Sequence, residues 1–207
     1  MISNGKFYES QFEEATIELL REAHWQYAFG DDIHRKYTDP LIEEDLRNFL
    51  TVQYKDKNLT TSEMDSIVAN LRNTGGQNDY YALRNAFLLY RDGYDFAYSD
   101  GRDNPFRLEY IDFEHPDHNI FRCVNQFVME QGRENRRPDI LLFINGIPVC
   151  IIELKNPTKQ NATIHDAHTQ ICTRYMRDIP ALLKYCALAV ISDGAKNALG
   201  TCLLYTS

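Results

Sequence analysis

The stretch Arg137–Lys155, RPDILLFINGIPVCIIELK, decides the fold of this chain. Its Asn145-Gly146 pair predicts a two-residue turn of type I′, because both central residues of that turn need a positive φ. The flanking runs Ile140–Ile144 and Ile147–Ile152 are almost wholly apolar, which is typical of strands that are buried on both faces. We therefore predict a buried β-hairpin.

Charged side chains occur only where this hairpin ends. Asp139 starts the first strand, and Glu153 and Lys155 lie near the end of the second. Because side chains alternate along a strand, Glu153 and Lys155 share a face, and pairing across the hairpin brings Asp139 to the same end. Two carboxylates and an ammonium group at a sheet edge suit Mg²⁺-assisted hydrolysis of a phosphodiester. The alternative is an ion pair that closes the sheet, but burying the surplus carboxylate is costly.

The composition is that of a soluble globular protein, with 207 residues, 43% hydrophobic and 25% charged. The sequence contains no apolar run of about 18 residues and no secretory signal, so we expect no membrane contact and a cytoplasmic location. The five cysteines are odd in number and form no C-x-x-C motif, which indicates reduced thiols.

The net charge of −8 is unevenly distributed. Residues 131–184 carry eight Lys/Arg against five Asp/Glu, so the segment around the hairpin is locally basic. A surface that binds phosphates needs such an excess. The excess is small, and we expect weak DNA binding by this chain alone.

Hydrophobic periodicity and capping signals predict an α/β protein. Leaving aside three helices between residues 38 and 93, the order is helix, three or more strands, helix and strand. The predicted helices are Phe12–Trp25, one that starts at Asp39-Pro40, one from a capping box at Thr60–Glu63, Asp79–Arg91 ending at Gly93, and one capped by Thr163–Asp166 that runs to about Arg177. Outside the hairpin, the predicted strands are Phe106–Phe113, Asn119–Met129 and Tyr185–Ile191.

Two histidine groups are candidate metal ligands. His165, His168 and Cys172 fall on one face of the last predicted helix, as a zinc half-site would require, but no fourth ligand is evident. We interpret the second group, the His115–His118 segment HPDH, as a solvated turn between strands. The sequence has no G-x-x-x-x-G-K-[ST] motif, which excludes a P-loop ATP site in this chain.

Pro138-Asp139, thirteen residues, then Glu153-x-Lys155 resembles the signature of the PD-(D/E)xK nuclease superfamily. The downstream segment HTQICTRY resembles the Gln…Tyr motif of related nucleases, although four residues separate Gln170 from Tyr175 where three are usual. Together with FEEATIELLREA, IELKNP and VISDG, these motifs make the chain from about Phe7 to Thr201 similar to one family, the N-terminal nuclease domain of the type I restriction enzyme R (motor) subunit. One departure is His24, where that family tends to have glycine.

The resemblance implies a restriction-endonuclease-like αβββαβ core, a mixed sheet flanked by helices, over residues 1–201, with an all-helical insertion at about 38–93. Residues 202–207, CLLYTS, resemble a non-native tail. The resemblance to the R-subunit family further implies a Mg²⁺-dependent endonuclease that cleaves double-stranded DNA after ATP-driven translocation. The motor and its ATP would belong to a longer subunit, of which this chain looks like a fragment, and the partners would be modification and specificity subunits.

Individual roles follow from the same resemblance. Asp139, Glu153 and Lys155 would be catalytic. The metal would be held by the two carboxylates, the main-chain carbonyl of Leu154 and an acidic residue of the first helix, for which we prefer Glu14 to Glu13. The predicted DNA-contacting or site-positioning residues are Gln170, Tyr175, Arg174, Arg177 and Lys159.

Two other functions remain open on the sequence. One is a stand-alone repair or recombination nuclease of the same superfamily. The other is a non-catalytic DNA-binding or docking module that keeps the fold, against which the intact Asp/Glu/Lys set argues.

Overall fold

The computed structural model describes residues 9–155, 168–194 and 196–201. DNA contact by Lys159, the helix cap at Thr163–Asp166 and the tail at 202–207 lie outside these residues. Within the described residues, no helix combines the length and the apolarity that crossing a membrane requires.

The described residues form helices and strands in mixed order. The α-helices are α1 Glu9–Glu22, α2 Glu43–Gln53, α3 Thr61–Arg72, α4 Asp79–Asp92, α5 Met176–Asp178 and α6 Pro180–Leu183, and a π-helical stretch, Gln170–Tyr175, leads directly into α5. The strands are β1 Gln26–Phe29, β2 Tyr94–Phe96, β3 Phe106–Leu108, β4 Phe121–Asn125, β5 Met129–Gln131, β6 Glu134–Arg136, β7 Ile140–Ile144, β8 Ile147–Leu154, β9 Leu188–Ser192 and β10 Asn197–Thr201.

Six strands form a mixed central sheet in the order β1-β4-β7-β8-β9-β10. The pairs β1–β4 and β8–β9 are parallel, and β4–β7, β7–β8 and β9–β10 are antiparallel. The order of helix, three strands, helix and strand runs through this sheet, with β1 and β10 added at its edges. The α/β restriction-endonuclease-like fold is therefore confirmed.

The predicted hairpin is β7–β8, and its turn is of type I′. Asn145 has φ 50° and Gly146 has φ 76°, as this turn requires. The buried Asn145 amide also accepts a hydrogen bond from Ile120 N (2.7 Å) and donates one to Tyr110 O (2.9 Å), so it fixes the preceding loop to the turn. A Cβ on Gly146 would collide with the Ile42 carbonyl, which leaves glycine as the residue that fits.

Helix α1 covers one face of the sheet. Its buried Ile17, with Phe12 and Leu20, packs against Ile140 and Ile152. The helix ends at Glu22, three residues earlier than predicted, and two main-chain hydrogen bonds close its C-terminus. Trp25 N donates to Leu20 O (3.0 Å) and His24 N donates to Arg21 O (3.0 Å), and these bonds define a Schellman motif.

His24 has φ 68°, the left-handed conformation that glycine normally supplies after a helix. The structure thus shows why glycine suits this position in the family that the sequence resembles. Histidine adopts the same conformation here at some cost in backbone strain.

The three helices α2, α3 and α4 pack on a second hydrophobic core that includes Leu46, Leu71, Tyr110 and Ile147. The capping box at Thr60 is confirmed, since the side chains and backbones of Thr60 and Glu63 bond reciprocally. The start at Asp39-Pro40 is wrong, because α2 begins at Glu43.

The Asp39 carboxylate stabilises the segment before α2 instead of its first turn. It accepts a hydrogen bond from Leu41 N (3.1 Å) and forms an ion pair with Arg72 (2.6 Å). Pro40 therefore precedes the helix instead of occupying its first turn.

Two predicted strands are shorter than expected. β3 ends at Leu108 and pairs with β2 in a separate two-stranded sheet. The next strand of the central sheet is β4. Between them the Asp112 carboxylate accepts hydrogen bonds from Glu114 N (3.0 Å) and His115 N (2.8 Å), which favours a turn over a strand. β4 ends where Gln126 adopts φ 55°.

The last predicted strand is also displaced. β9 begins at Leu188, because Tyr185 and Cys186 are buried in the turn that follows α6. β10 was not predicted, since the sequence Asn197–Thr201 lacks the apolar alternation of a strand.

Candidate active site

Asp139, Glu153 and Lys155 meet at one end of the β7–β8 hairpin. Lys155 Nζ donates to Glu153 Oε1 at 2.8 Å. The Asp139 carboxylate accepts a hydrogen bond from the main-chain N of Leu154 at 2.7 Å, which holds it beside the end of β8. The two carboxylates and the ammonium group thus occupy the arrangement expected from the sequence.

A β-bulge at Val149 puts the two carboxylates on the same face. Phe143 lies opposite Pro148, whereas Leu142 lies opposite Cys150, so Val149 has no partner in β7. From there Ile140 lies opposite Ile152, and the next position brings Asp139 opposite Glu153. Residues directly opposite each other point to the same face of a sheet.

Without the bulge Asp139 would lie opposite Ile152, and its side chain would face away from Glu153. The sequence signal for the bulge is Pro148, because proline within a central strand is confined largely to bulges and strand starts.

The Glu153 carboxylate is the least solvated group of the site, with a side chain only 1% exposed. Burial, together with the negative charge of Asp139, raises the pKa of Glu153 to about 8, because the Lys155 ammonium opposes both effects only in part. One lysine does not balance two ionised carboxylates, so without a metal the folded chain keeps the Glu153 proton at neutral pH. A divalent cation would complete that balance, so this donor set fits one.

Gln170 and Tyr175 contact the catalytic candidates directly. Gln170 Oε1 accepts from Lys155 Nζ at 2.9 Å, and Gln170 Nε2 donates to Glu153 Oε1 and to the Tyr175 hydroxyl oxygen (2.6 Å). The Tyr175 hydroxyl donates to Glu153 Oε2 at 3.3 Å. Burial raises the pKa of Tyr175, so its hydroxyl stays a donor at neutral pH. The pair fixes the positions of Glu153 and Lys155.

The π-helical stretch explains the spacing of this pair. A π-helix forms i→i+5 hydrogen bonds, so residues five apart lie on the same face of the helix. Gln170 and Tyr175, the first and last residues of the stretch, are five apart. The extra residue in the Gln…Tyr motif is therefore accommodated in the helix backbone, and the two side chains still meet.

The first helix contributes Glu13 to this region. The Glu13 carboxylate accepts from Asn125 Nδ2 (2.7 Å) and Gln126 Nε2 (3.1 Å), and Gln126 N donates to the carbonyl oxygen of Asp139 (3.3 Å). Glu14 is exposed. Consecutive helical residues point about 100° apart, so only one of the two faces the sheet. The structure thus turns Glu13 toward the sheet, whereas we preferred Glu14 as the acidic residue of this helix. No pattern in the sequence singled out Asn125 or Gln126.

A basic groove adjoins the site. It has a volume of about 450 Å³ and is lined by Asn135, Arg136, Arg137, Gln170, Arg174, Tyr175 and Arg177. Arg174 and Arg137 are exposed, whereas Arg136 and Arg177 both form ion pairs with Asp178 at 2.6 Å. Arg136 and Arg137 were missed, although their position just before Pro138-Asp139 was a usable signal.

The two histidine groups have different outcomes. His165 and the side chain of Cys172 lie outside the described residues, so the zinc half-site stays a prediction. The HPDH segment is exposed, as expected of a solvated turn, but it also brings His115 and His118 onto the carboxylate of Asp112.

Comparison with known proteins identifies the family of the chain. Residues 6–205 match the family described as Type I restriction enzyme R protein N terminus. The chain belongs to this family. It is similar to the type I restriction enzyme HindI endonuclease subunit of Haemophilus influenzae, with 29% identity over 93% of this chain and 19% of the relative.

Two more relatives show the same similarity. The putative type I restriction enzyme MjaIXP endonuclease subunit of Methanocaldococcus jannaschii is 31% identical over 91% of this chain and 19% of its own length. The type I restriction enzyme EcoprrI endonuclease subunit of Escherichia coli is 33% identical over 49% of this chain and 31% of the matched relative. The chain thus spans about a fifth of the length of the first two relatives.

Proposed function

We propose that this chain is the Mg²⁺-dependent endonuclease domain of a type I restriction-modification R subunit and that it hydrolyses phosphodiester bonds of double-stranded DNA. The observation that carries the proposal is the buried Glu153 carboxylate beside Asp139 and Lys155, with its pKa raised to about 8. The family supports a role in restriction.

The carboxylates of Asp139 and Glu153 would hold the Mg²⁺, together with the main-chain carbonyl of Leu154. Glu13 takes the place of Glu14 as the acid from the first helix, through the hydrogen bonds that connect it to Gln126 and Asp139. When bound, Mg²⁺ neutralises phosphate charge and lowers the pKa of coordinated water. Its charge also stabilises the ionised form of Glu153.

Lys155 supplies the positive charge that the protein itself places at the scissile phosphate. Its ammonium is oriented by Glu153 Oε1 and Gln170 Oε1, so one of its three N–H donors remains for a phosphate oxygen or the attacking water. Gln170 also donates to Glu153 Oε1, and Tyr175 donates to Oε2. Arg137 and Arg174 in the adjoining groove would bind neighbouring phosphates of the DNA backbone.

DNA would be delivered to this site by a motor elsewhere in the subunit. The net charge of −8 and the small basic excess around the site give this chain little electrostatic attraction to DNA. We propose that ATP-driven translocation supplies the duplex, and that modification and specificity subunits determine where translocation begins.

The test uses the domain within a complete R subunit, assembled with its modification and specificity partners. With ATP and Mg²⁺ the wild type should linearise a plasmid that carries the recognition site. Glu153→Gln and Lys155→Met should abolish cleavage and leave ATP hydrolysis intact, whereas the exposed Glu18→Gln should change neither. Undiminished cleavage by Glu153→Gln would remove the basis of the proposal.

The isolated chain provides the second arm. At physiological salt with Mg²⁺ it should leave the plasmid nearly uncut. Efficient cleavage by the chain alone, especially at a fixed sequence, would instead support a stand-alone repair or recombination nuclease. Mg²⁺ should raise the melting temperature of the wild-type chain but not that of Glu153→Gln. Equal shifts would mean that Glu153 holds no metal, as in a non-catalytic docking module.

A further inference from the structure

A second cluster of metal-ligating side chains lies in the loop between β3 and β4. Asp112, His115 and His118 each offer one ligand atom, and these atoms all lie within 4.8 Å of one another. Tyr110 and Asn119 connect this loop to the Asn145-Gly146 turn. The cluster therefore belongs to the end of the hairpin opposite Asp139 and Glu153. We propose that it is a separate zinc site.

Local backbone geometry brings the three residues together. They are spaced three apart, and Pro116–His118 forms a 3₁₀-helical turn, in which side chains three apart eclipse one another. The His115 and His118 rings accordingly stack with centroids 5.0 Å apart and 18° between planes. Stacked rings direct their Nδ1 atoms to the same side, toward Asp112.

The distances are those of a tetrahedral zinc site. Asp112 Oδ2 lies 3.1 Å from His118 Nδ1 and 3.5 Å from His115 Nδ1. Ligands at the usual oxygen and nitrogen distances from zinc stand roughly 3.4 Å apart at the corners of a tetrahedron. Imidazole nitrogen with one carboxylate oxygen is a donor set that suits Zn²⁺ better than Mg²⁺ or Ca²⁺.

The Asp112 carboxylate is held in place for this role. It is buried at 3% exposure, and its Oδ1 accepts from Glu114 N and His115 N. Its Oδ2 is faced by three nitrogens, the two ring nitrogens and Gln53 Nε2 at 3.1 Å. One carboxylate oxygen has about two lone-pair sites, and Gln53 Nε2 and His118 Nδ1 already occupy them, so His115 Nδ1 at 3.5 Å forms no hydrogen bond with Oδ2. A zinc ion between Oδ2 and the two rings would engage both histidines at once and leave Gln53 as the donor that orients the carboxylate.

The histidines face solvent, with side chains 60% and 51% exposed. A fourth position is therefore open to water. The site would stabilise the loop that holds the hairpin turn, because Asp112 N donates to Asn119 Oδ1, which also accepts from Asn145 Nδ2. The role is structural and independent of DNA cleavage.

The test titrates the chain with Zn²⁺ by calorimetry in excess Mg²⁺, which occupies the carboxylate site. The wild type should bind one Zn²⁺ equivalent through this cluster, and His115→Ala and His118→Ala should each weaken that binding by about tenfold or more. His34→Ala, at an exposed histidine away from the cluster, should bind as the wild type does. His168→Ala serves as a second control, for zinc held near the last helix.

Zn²⁺ should also raise the melting temperature of the wild type, His34→Ala and His168→Ala, but not that of the two cluster variants. Both cluster histidines are exposed, so their replacement should leave the apo fold intact, which the melting curve without zinc verifies. If the wild type takes up no Zn²⁺ at micromolar free concentration, or if all variants bind it equally, the zinc site is refuted.

Discussion

Replacing Glu153 by glutamine should stabilise the metal-free protein increasingly as pH rises. The carboxylate has a pKa of about 8 in the folded chain, against 4.5 for an ordinary glutamate. Between these values the unfolded chain has released the proton and the folded chain keeps it. The free energy of unfolding of the wild type therefore falls as pH rises. Glutamine has no proton to release, so the variant lacks this loss.

The size of the effect follows from the pKa difference. Each pKa unit corresponds to about 1.4 kcal/mol, so the stability difference between variant and wild type should grow by up to about 1.4 kcal/mol per pH unit from pH 5 to 8. The full span is on the order of 4–5 kcal/mol, and the difference should level off above pH 8. A constant offset for altered hydrogen bonds with Lys155 and Gln170 does not affect this slope.

The assay is urea denaturation of both proteins at half-unit pH intervals, without Mg²⁺ and then with it. Titrating groups that do not interact with Glu153 are shared and cancel in the difference, and Glu18→Gln, whose side chain is 59% exposed, should run parallel to the wild type. Saturating Mg²⁺ should flatten the difference, because it stabilises the ionised carboxylate in the wild type alone. A stability difference that is independent of pH would refute the assigned burial of a poorly compensated Glu153 charge.

Three further predictions concern the backbone, and thermal melts test them all. Deleting Thr173 should convert the π-helix to an α-helix and change the free energy of unfolding by no more than about 1 kcal/mol, since Gln170 and Tyr175 would still share a face. As a control, deleting the exposed Ser66 from the regular helix α3 should unfold the chain. If both deletions destabilise the chain equally, the π-helix does not contain an extra residue that the fold can lose. His24→Gly should raise the free energy of unfolding by roughly 0.5–1 kcal/mol, because glycine adopts the left-handed conformation without strain. A lower melting temperature would argue against strain at this position. Gly146→Ala should destabilise by more than about 3 kcal/mol, since its Cβ meets the Ile42 carbonyl, and a mild effect would mean that the turn can shift.

Local features of this protein were readable from the sequence. The Asn145-Gly146 turn, the Thr60 capping box and the common face of Glu153 and Lys155 each depend on a few neighbouring residues. Backbone conformational preference and the two-residue period of a strand act at that range, so the pattern alone predicts them. The order of helices and strands in the core follows from the same local signals.

Relations between segments were decided only by the tertiary structure. Whether Asp139 faces Glu153 depends on how many residues of β8 oppose β7, and the bulge at Val149 changes that count by one. Pro148 signals an irregularity there without giving its register. Whether Glu13 or Glu14 faces the sheet likewise depends on the rotation of α1 about its own axis.

The Gln170 and Tyr175 pair also combines a signal in the sequence with an outcome that only the tertiary structure decides. Their spacing in the sequence departs from the usual motif, and an α-helix would have separated the two side chains. Packing of Ile171 and Tyr175 in the core, together with the hydrogen bonds to Glu153, selects the π-helical backbone that reunites them. The sequence determined which chemical groups the site contains, and long-range packing determined which of them meet, because register and helix rotation are properties of contacts between distant segments.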